Sequence, residues 1–270
     1  MNSLPQKPKL RLGVIASIVA RTFEEFLAAW EASSLAHSRE IRLDPLWDTP
    51  HLKQVLEALS ALIDKEPHKS VILTLRTDQD GGKHFISVLE QYQFWRDAMP
   101  EDLHQKLKNP KSNVFTDWPI GLVMFVKEQF AIAPFPWNKI GGSIHIFEPI
   151  QVPNSVEGHV EMFKSLIASP AYAFKKYVPL ATDREDVILL HLWEALGKFS
   201  DAGPIIAFWM GKRGENSRRE CMGHGSNGVF GYIPGFDPAA PGQLSIAELL
   251  EDKMVIRAMT PAVHTLPTES

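Results

Sequence analysis

Lys175, Lys176 and His145 are the residues whose types and settings suit covalent and proton-transfer chemistry. The two lysines are adjacent in the apolar run "FKKYVPL". Neighbouring strand residues face opposite sides of a sheet. One of the two therefore enters the interior, where burial and nearby cations lower an ammonium's pKa. An amine so placed can attack a ketone and form a Schiff base. The competing reading is two surface lysines at a strand edge, the commoner placement for this residue type. His145, in "GGSIHIFEP", lies between apolar neighbours and reads either as a hydrogen-bonded core histidine or as a proton shuttle.

Charge is arranged around these residues. Glu40, Arg42 and Asp44 alternate along "REIRLD" and so share one strand face. On a surface strand that is a solvated ladder; inside a barrel it is an inward polar cluster. Arg76, just ahead of "TDQDGG", either joins such a cluster or caps a turn. The stretch "WMGKRGENSRR" concentrates Lys212, Arg213, Arg218 and Arg219 where the apolar run "PIIAFWM" ends, in a chain of net charge −4. It lacks the Walker pattern of a phosphate loop. It reads as a solvated basic loop or as a local device for an anionic ligand, carboxylate or phosphate.

The elements that must position these residues follow from the hydrophobic pattern. Strands are expected at "LRLGVIASIV", "REIRLD", "SVILTLR", "NVFTDW", "GGSIHIF", "FKKYVPL", "PIIAFWM" and "GVFGYI". Helical periods occupy 22–34, 51–64, 83–96, 120–130, 154–168, 183–198 and 215–222, and a last one, "SIAELLEDK", has Ser245 as cap and Glu248 three residues on. Residues 97–112 and 131–139 read as irregular and Pro-containing. Eight alternations imply a parallel sheet closed into an α/β (β/α)₈ TIM barrel, one domain over 1–270 with loose ends at 1–9 and 261–270. An open doubly wound sheet is the alternative, and no GxGxxG follows the first strand to favour it. Barrel chemistry sits at the C-terminal strand ends. Those ends offer Glu40, Arg42, Arg76, Asp117, His145, Lys176, Arg213, Arg218 and later Gln243.

Composition bounds the function. Hydrophobic content of 44% and charged content of 22% suit a globular domain with a sizeable core, and the acidic balance argues against non-specific nucleic-acid binding. A single cysteine, Cys221, excludes an internal disulfide framework and fits a reducing, cytoplasmic setting. No run reaches the eighteen apolar residues of a membrane span. Lys7, Lys9 and Arg11 ahead of "LGVIASIVA" loosely mimic a signal peptide, but a buried strand explains the same run. Metal ligands at recognisable spacing are missing, Cys221-x-x-His224 standing alone.

Taken in order, the segments "EIRLD", "ILTLRTDQDGG", "SIHIFEP" and "MGKRGENSRR…GSNGVFG…AAPGQLSIAELL" resemble the type I 3-dehydroquinate dehydratase family. Lys176 is similar to its Schiff-base lysine by strand and by distance to Asp186–Val187. The resemblance implies a barrel that removes water from 3-dehydroquinate to give 3-dehydroshikimate, with no cofactor or metal. On that resemblance Lys176 would form the imine and His145 would move the protons. Arg218 and Gln243 would hold the carboxylate, while Glu40, Arg42 and Arg76 would orient hydroxyls and the lysine. Implied partners are a cyclic polyhydroxy carboxylate, a second copy in a homodimer, and other domains of a multidomain chain. The sequence departs from the family pattern at Ile146 (Asp beside the histidine), Ala239 (Ser), Asp80 (Glu) and Pro119 (near a Glu), and 97–138 aligns poorly. Fungal quinate-pathway repressors carry a dehydratase-like domain, so a nuclear metabolite sensor is the second reading.

Overall fold

The computed structural model describes residues 12–130, 132–147, 156–181 and 203–260. The expected helix over 183–198, with Asp186 and Val187, lies outside them, as do Lys7, Lys9, Arg11 and both expected loose ends.

Eight strands form one sheet: β1 (Gly13–Ile18), β2 (Ser38–Arg42), β3 (Ser70–Thr74), β4 (Val114–Pro119), β5 (Ile140–Ile146), β6 (Lys175–Pro179), β7 (Ile205–Ala207) and β8 (Gly228–Tyr232). Their order is β7-β6-β5-β4-β3-β2-β1-β8 and every pairing is parallel. Both faces are covered, which is why the strands read as near-continuous apolar runs. Side chains finish the closure between β7 and β8. The Asn227 amide nitrogen of the backbone donates to Ile205 O at 2.6 Å, Ile205 N donates to Asn227 Oδ1 at 2.8 Å, and Ala207 N donates to Ser226 Oγ at 3.3 Å. "GSN" thus stands in for a missing ladder. The protein is a (β/α)₈ barrel.

The outer ring comprises α1 (Phe23–Ala32), α2 (Pro50–Lys65), α3 (Val88–Asp97), α4 (Glu101–Lys108), α5 (Ile120–Gln129), α6 (Val156–Ala168), α7 (Glu215–Glu220), α8 (Ile246–Glu251) and α9 (Lys253–Met259). Local chemistry sets their starts. Ser87 and Ser245 form capping boxes with Glu90 and Glu248, satisfying orphan N–H groups at α3 and α8.

Three segments differ from the sequence expectation. The helix expected over 83–96 begins only at Val88, where Ser87 caps it. Residues 97–112 are not irregular throughout, because α4 lies inside them. Its buried Leu103 and Leu107 are four apart on one face, and the helix packs against α2. Two apolar residues in eight gave too short a period to see, and Pro100 directly ahead read as a breaker. The last helical stretch also runs further than 253: Asp252 caps a separate α9 through its carboxylate, which accepts from Met254 N and Val255 N.

Beneath the mouth the barrel is plugged by rings. A Cβ on Gly141 would run into the Phe174 ring, so only glycine leaves that aromatic room below Lys176. No helix among the described residues is long and apolar enough to cross a membrane.

Candidate active site

Strand alternation and register bring the polar strand-end residues together. Ser17 pairs in register with Glu40, and Thr74 with both Arg42 and Asp117. Lys176 pairs with Ser143, so His145 sits two residues further along the neighbouring strand on the same inward face.

Lys176 is 3% exposed, and its ammonium reaches Asp117 Oδ2 at 3.1 Å and Glu40 Oε1 at 3.4 Å while lying 3.9 Å above the Phe230 ring. Burial lowers its pKa, and the Asp117 and Glu40 carboxylates oppose that shift. Glu40 also accepts from Ser17 Oγ at 2.9 Å and Thr74 Oγ1 at 3.0 Å. Burial alone would raise the Glu40 carboxyl, but Lys176, Arg76 and Arg42, helped by the Ser17 hydroxyl, bring it down to about 2. The carboxylate is therefore fully ionised at neutral pH. It is the fixed anion against which the lysine is held.

Arg76 bridges this ion cluster to the histidine. Its Nη2 lies 3.5 Å from Asp117 Oδ2 and 3.8 Å from Glu40 Oε1, and its Nη1 lies 2.8 and 2.7 Å from His145 Nδ1 and Nε2. Burial, then Arg76, Lys176 and Arg42, hold His145 well below the ordinary histidine value, so it is a neutral base at pH 7. The ring stacks on Phe147 with centroids 6.3 Å apart. Gly81, at φ +82°, lies against that phenyl, and any Cβ there would collide with it. The Asp80 carboxylate accepts from Thr77 Oγ1 at 3.2 Å; burial raises its pKa.

The remaining candidates take distinct places. Arg42 forms a fork with Asp44, two N–H···O contacts of 2.8 Å, and so acts on the cluster through its field. Gln243 donates to Ser17 Oγ at 3.2 Å and accepts from Ala239 N at 2.7 Å. Residue 239 thus positions the glutamine through its backbone, which an alanine supplies as well as a serine. Of the cations in "MGKRGENSRR", Lys212 and Arg213 are exposed, while Arg218 on α7 is 2% exposed. Its guanidinium stacks 4.5 Å over Phe208, whose ring is 6.2 Å from that of Phe230 under Lys176. Arg218 Nε has no hydrogen-bond partner among the described residues, and burial lowers its pKa to about 10. Among the described residues it has no carboxylate partner.

Three expectations change. Lys175 is no surface lysine: it is buried on the opposite face, donating to Ser169 O at 2.6 Å at the end of α6. Ile146 is not beside the histidine in space. It points outward into an apolar cluster with Phe163 and Tyr177, because successive strand residues alternate. Asp117, noted as a strand-end carboxylate but not carried into the site, is the group nearest the lysine and is 1% exposed, with Oδ1 unpartnered. Its inward phase relative to Thr116 and Trp118 was the available signal. Among the described residues no group of three or more His, Cys, Asp or Glu is placed to hold a metal ion. A surface groove of about 500 Å³ between α2 and α3, lined by Trp47, Leu52, Leu56, Phe94 and Met99, shares no residue with the cluster, and we place the chemistry at the barrel mouth.

Fold and site together define a (β/α)₈-barrel protein with an ion-paired lysine and a neutral histidine at the C-terminal mouth. The chain belongs to the type I 3-dehydroquinase family, whose model matches residues 14–104 and 141–253. Asp117 lies between the two matched stretches. The chain is 27% identical over 248 residues to the 3-dehydroquinate dehydratase of Escherichia coli O9:H4 (strain HS), covering 90% of each. In fold it is similar to the type I 3-dehydroquinate dehydratase of Clostridium difficile (TM-score 0.68, 18% identity, 93% of each chain). It is likewise similar to the 3-dehydroquinate dehydratase of Geobacillus kaustophilus (TM-score 0.69, 16% identity, 95% of this chain and 98% of that one).

Proposed function

We propose that the chain is a 3-dehydroquinate dehydratase working through an imine on Lys176. The observation that carries this reading is the buried Lys176 ammonium, held between the Glu40 and Asp117 carboxylates one step below His145. Asp117, 3.1 Å away, takes the ammonium's proton. The free amine adds to the substrate ketone, Asp117 returns its proton to the carbinolamine hydroxyl, and loss of that hydroxyl as water leaves a protonated imine. That cation acidifies the adjacent C–H. His145 removes this proton, the C–H electron pair becomes a C=C bond and the C=N π pair moves onto nitrogen, forming an enamine. The enamine then expels the hydroxyl on the next carbon, which takes the proton from His145 and leaves as water. Hydrolysis of the conjugated imine frees Lys176 and 3-dehydroshikimate.

The charges support a monocarboxylate ligand. Lys176, Arg42 and Arg76 are matched by Glu40, Asp44 and Asp117, whereas Arg218 has no anionic partner among the described residues. A desolvated guanidinium favours a bidentate carboxylate. Arg218→Ala should therefore cost about 2–5 kcal/mol in binding of quinate, read by calorimetry. Equal binding by both proteins removes Arg218 from the site.

The test of the function is the appearance of enone absorbance when purified protein meets 3-dehydroquinate. A metabolite-sensing domain is the second reading, favoured by one observation: among the described residues the His145 ring nitrogens meet a guanidinium and no carboxylate. Tight binding of the substrate without enone formation selects it.

A further inference from the structure

The contact between Arg76 and His145 has a consequence for when the histidine can take up a proton. Arg76 Nη1 sits almost midway between the two ring nitrogens, at 2.8 and 2.7 Å. A guanidinium nitrogen carries only donors. A position equidistant from both ring nitrogens lies off the in-plane lone pair of each, so the contact sets the guanidinium's charge against the ring and is not a hydrogen bond aimed at either nitrogen. In the imidazolium the same arrangement would put two positive charges in contact. The arrangement therefore belongs to neutral His145, and a protonated ring requires Arg76 to move.

Arg76 has somewhere to go. Its Nη2 stands at 3.5 and 3.8 Å from the Asp117 and Glu40 oxygens, longer than a charge-assisted hydrogen bond of roughly 2.7–2.9 Å. Among the described residues its buried Nε has no acceptor. The guanidinium thus holds unused capacity for oxygen ligands on two sides while leaning on the imidazole.

We propose that Arg76 is a positioning residue for His145: it holds the ring neutral in the unliganded protein and is drawn off it by a ligand hydroxyl or carboxylate, coupling ligand binding to proton uptake. The idea rests on the proposed function for the identity of the ligand class. The charged groups of the cluster are Arg76 and Asp80 from the loop after β3, Arg42 and Glu40 from β2, Asp117 from β4 and Lys176 from β6, and of these Arg76, Lys176 and Arg42 act on the His145 ring. Burial and the cations of this set keep the ring's proton affinity low, in agreement with the contact. Substrate binding would then switch the base on, because the guanidinium's positive charge moves from the imidazole to the ligand.

Nitrogen-15 NMR of histidine-labelled protein reads this without any turnover, with the His145 signal assigned by its loss in His145→Ala. In the unliganded protein the midpoint should lie below the ordinary value of about 6.5. Saturating quinate should raise it by at least about one pH unit, a tenfold change in proton affinity. Arg76→Gln should raise the unliganded midpoint by a similar amount and abolish the response to quinate. Arg76→Lys, which keeps the charge without the fork, should fall between. A wild-type midpoint that quinate leaves unchanged overturns the coupling, and it needs no variant to fold. A midpoint unaffected by Arg76→Gln overturns the role of Arg76. Failure of the dehydratase assay with the NMR response intact would sink the enzymatic reading and leave this one standing.

Discussion

Borohydride added to the protein with 3-dehydroquinate should leave a stable secondary amine on Lys176, found by peptide mass spectrometry. The expectation follows from burial. A surface lysine is protonated and hydrated at neutral pH, whereas Lys176 is enclosed by the barrel and has its pKa lowered, with Asp117 at 3.1 Å to take the proton. Lys176→Ala should abolish the adduct and lower turnover by at least about 10⁴-fold, the scale seen when a covalent nucleophile is removed. The variant leaves Glu40 and Asp117 with only the more distant Arg76 as cation, so its fold needs checking by circular dichroism before the loss is read as chemistry. Lys175→Ala supplies the control, since Lys175 lies on the opposite face and donates to Ser169. An adduct on Lys175, or one that survives Lys176→Ala, would overturn the assignment.

The second large effect separates imine formation from proton transfer. His145→Ala should still trap the adduct, because nothing in the attack of the amine on the ketone uses the imidazole. Turnover should fall by about 10²–10⁴-fold, the usual loss when a general acid–base is removed. A variant with unchanged turnover would move the proton chemistry to another group, and Asp80 or Asp117 would be the ones to test next. Loss of both adduct and turnover would instead make His145 part of the binding surface.

Much of the site was legible before the fold was known. Glu40, Arg42 and Asp44 alternate, and alternation along a strand is a statement about faces that needs no coordinates. The lysine pair had to place one member inside for the same reason. Ser245 with Glu248 announced a helix start, and the structure has that capping box. Where the reading failed, it mistook sequence adjacency for spatial adjacency. Ile146 follows His145 in the chain, yet points into the apolar layer with Phe163. Asp117 lies in a stretch without a familiar motif, and α4 offered only two apolar residues to mark its period.

By itself the sequence determined the barrel, the strands that compose it and the face on which each strand-end residue would lie, because hydrophobic period and side-chain alternation are local properties of the chain. Tertiary structure alone decided who meets whom. Which carboxylate holds Lys176 depends on the registers of β2, β4 and β6, which no local pattern encodes. The Arg76–His145 contact joins residues 69 apart in sequence, and only the closed curvature of the sheet brings their strand ends within hydrogen-bond distance. The four cations after β7 look alike in the sequence. The turn into α7 leaves Lys212 and Arg213 in water and buries Arg218 over Phe208, because one helical turn rotates successive side chains to different sides of the helix.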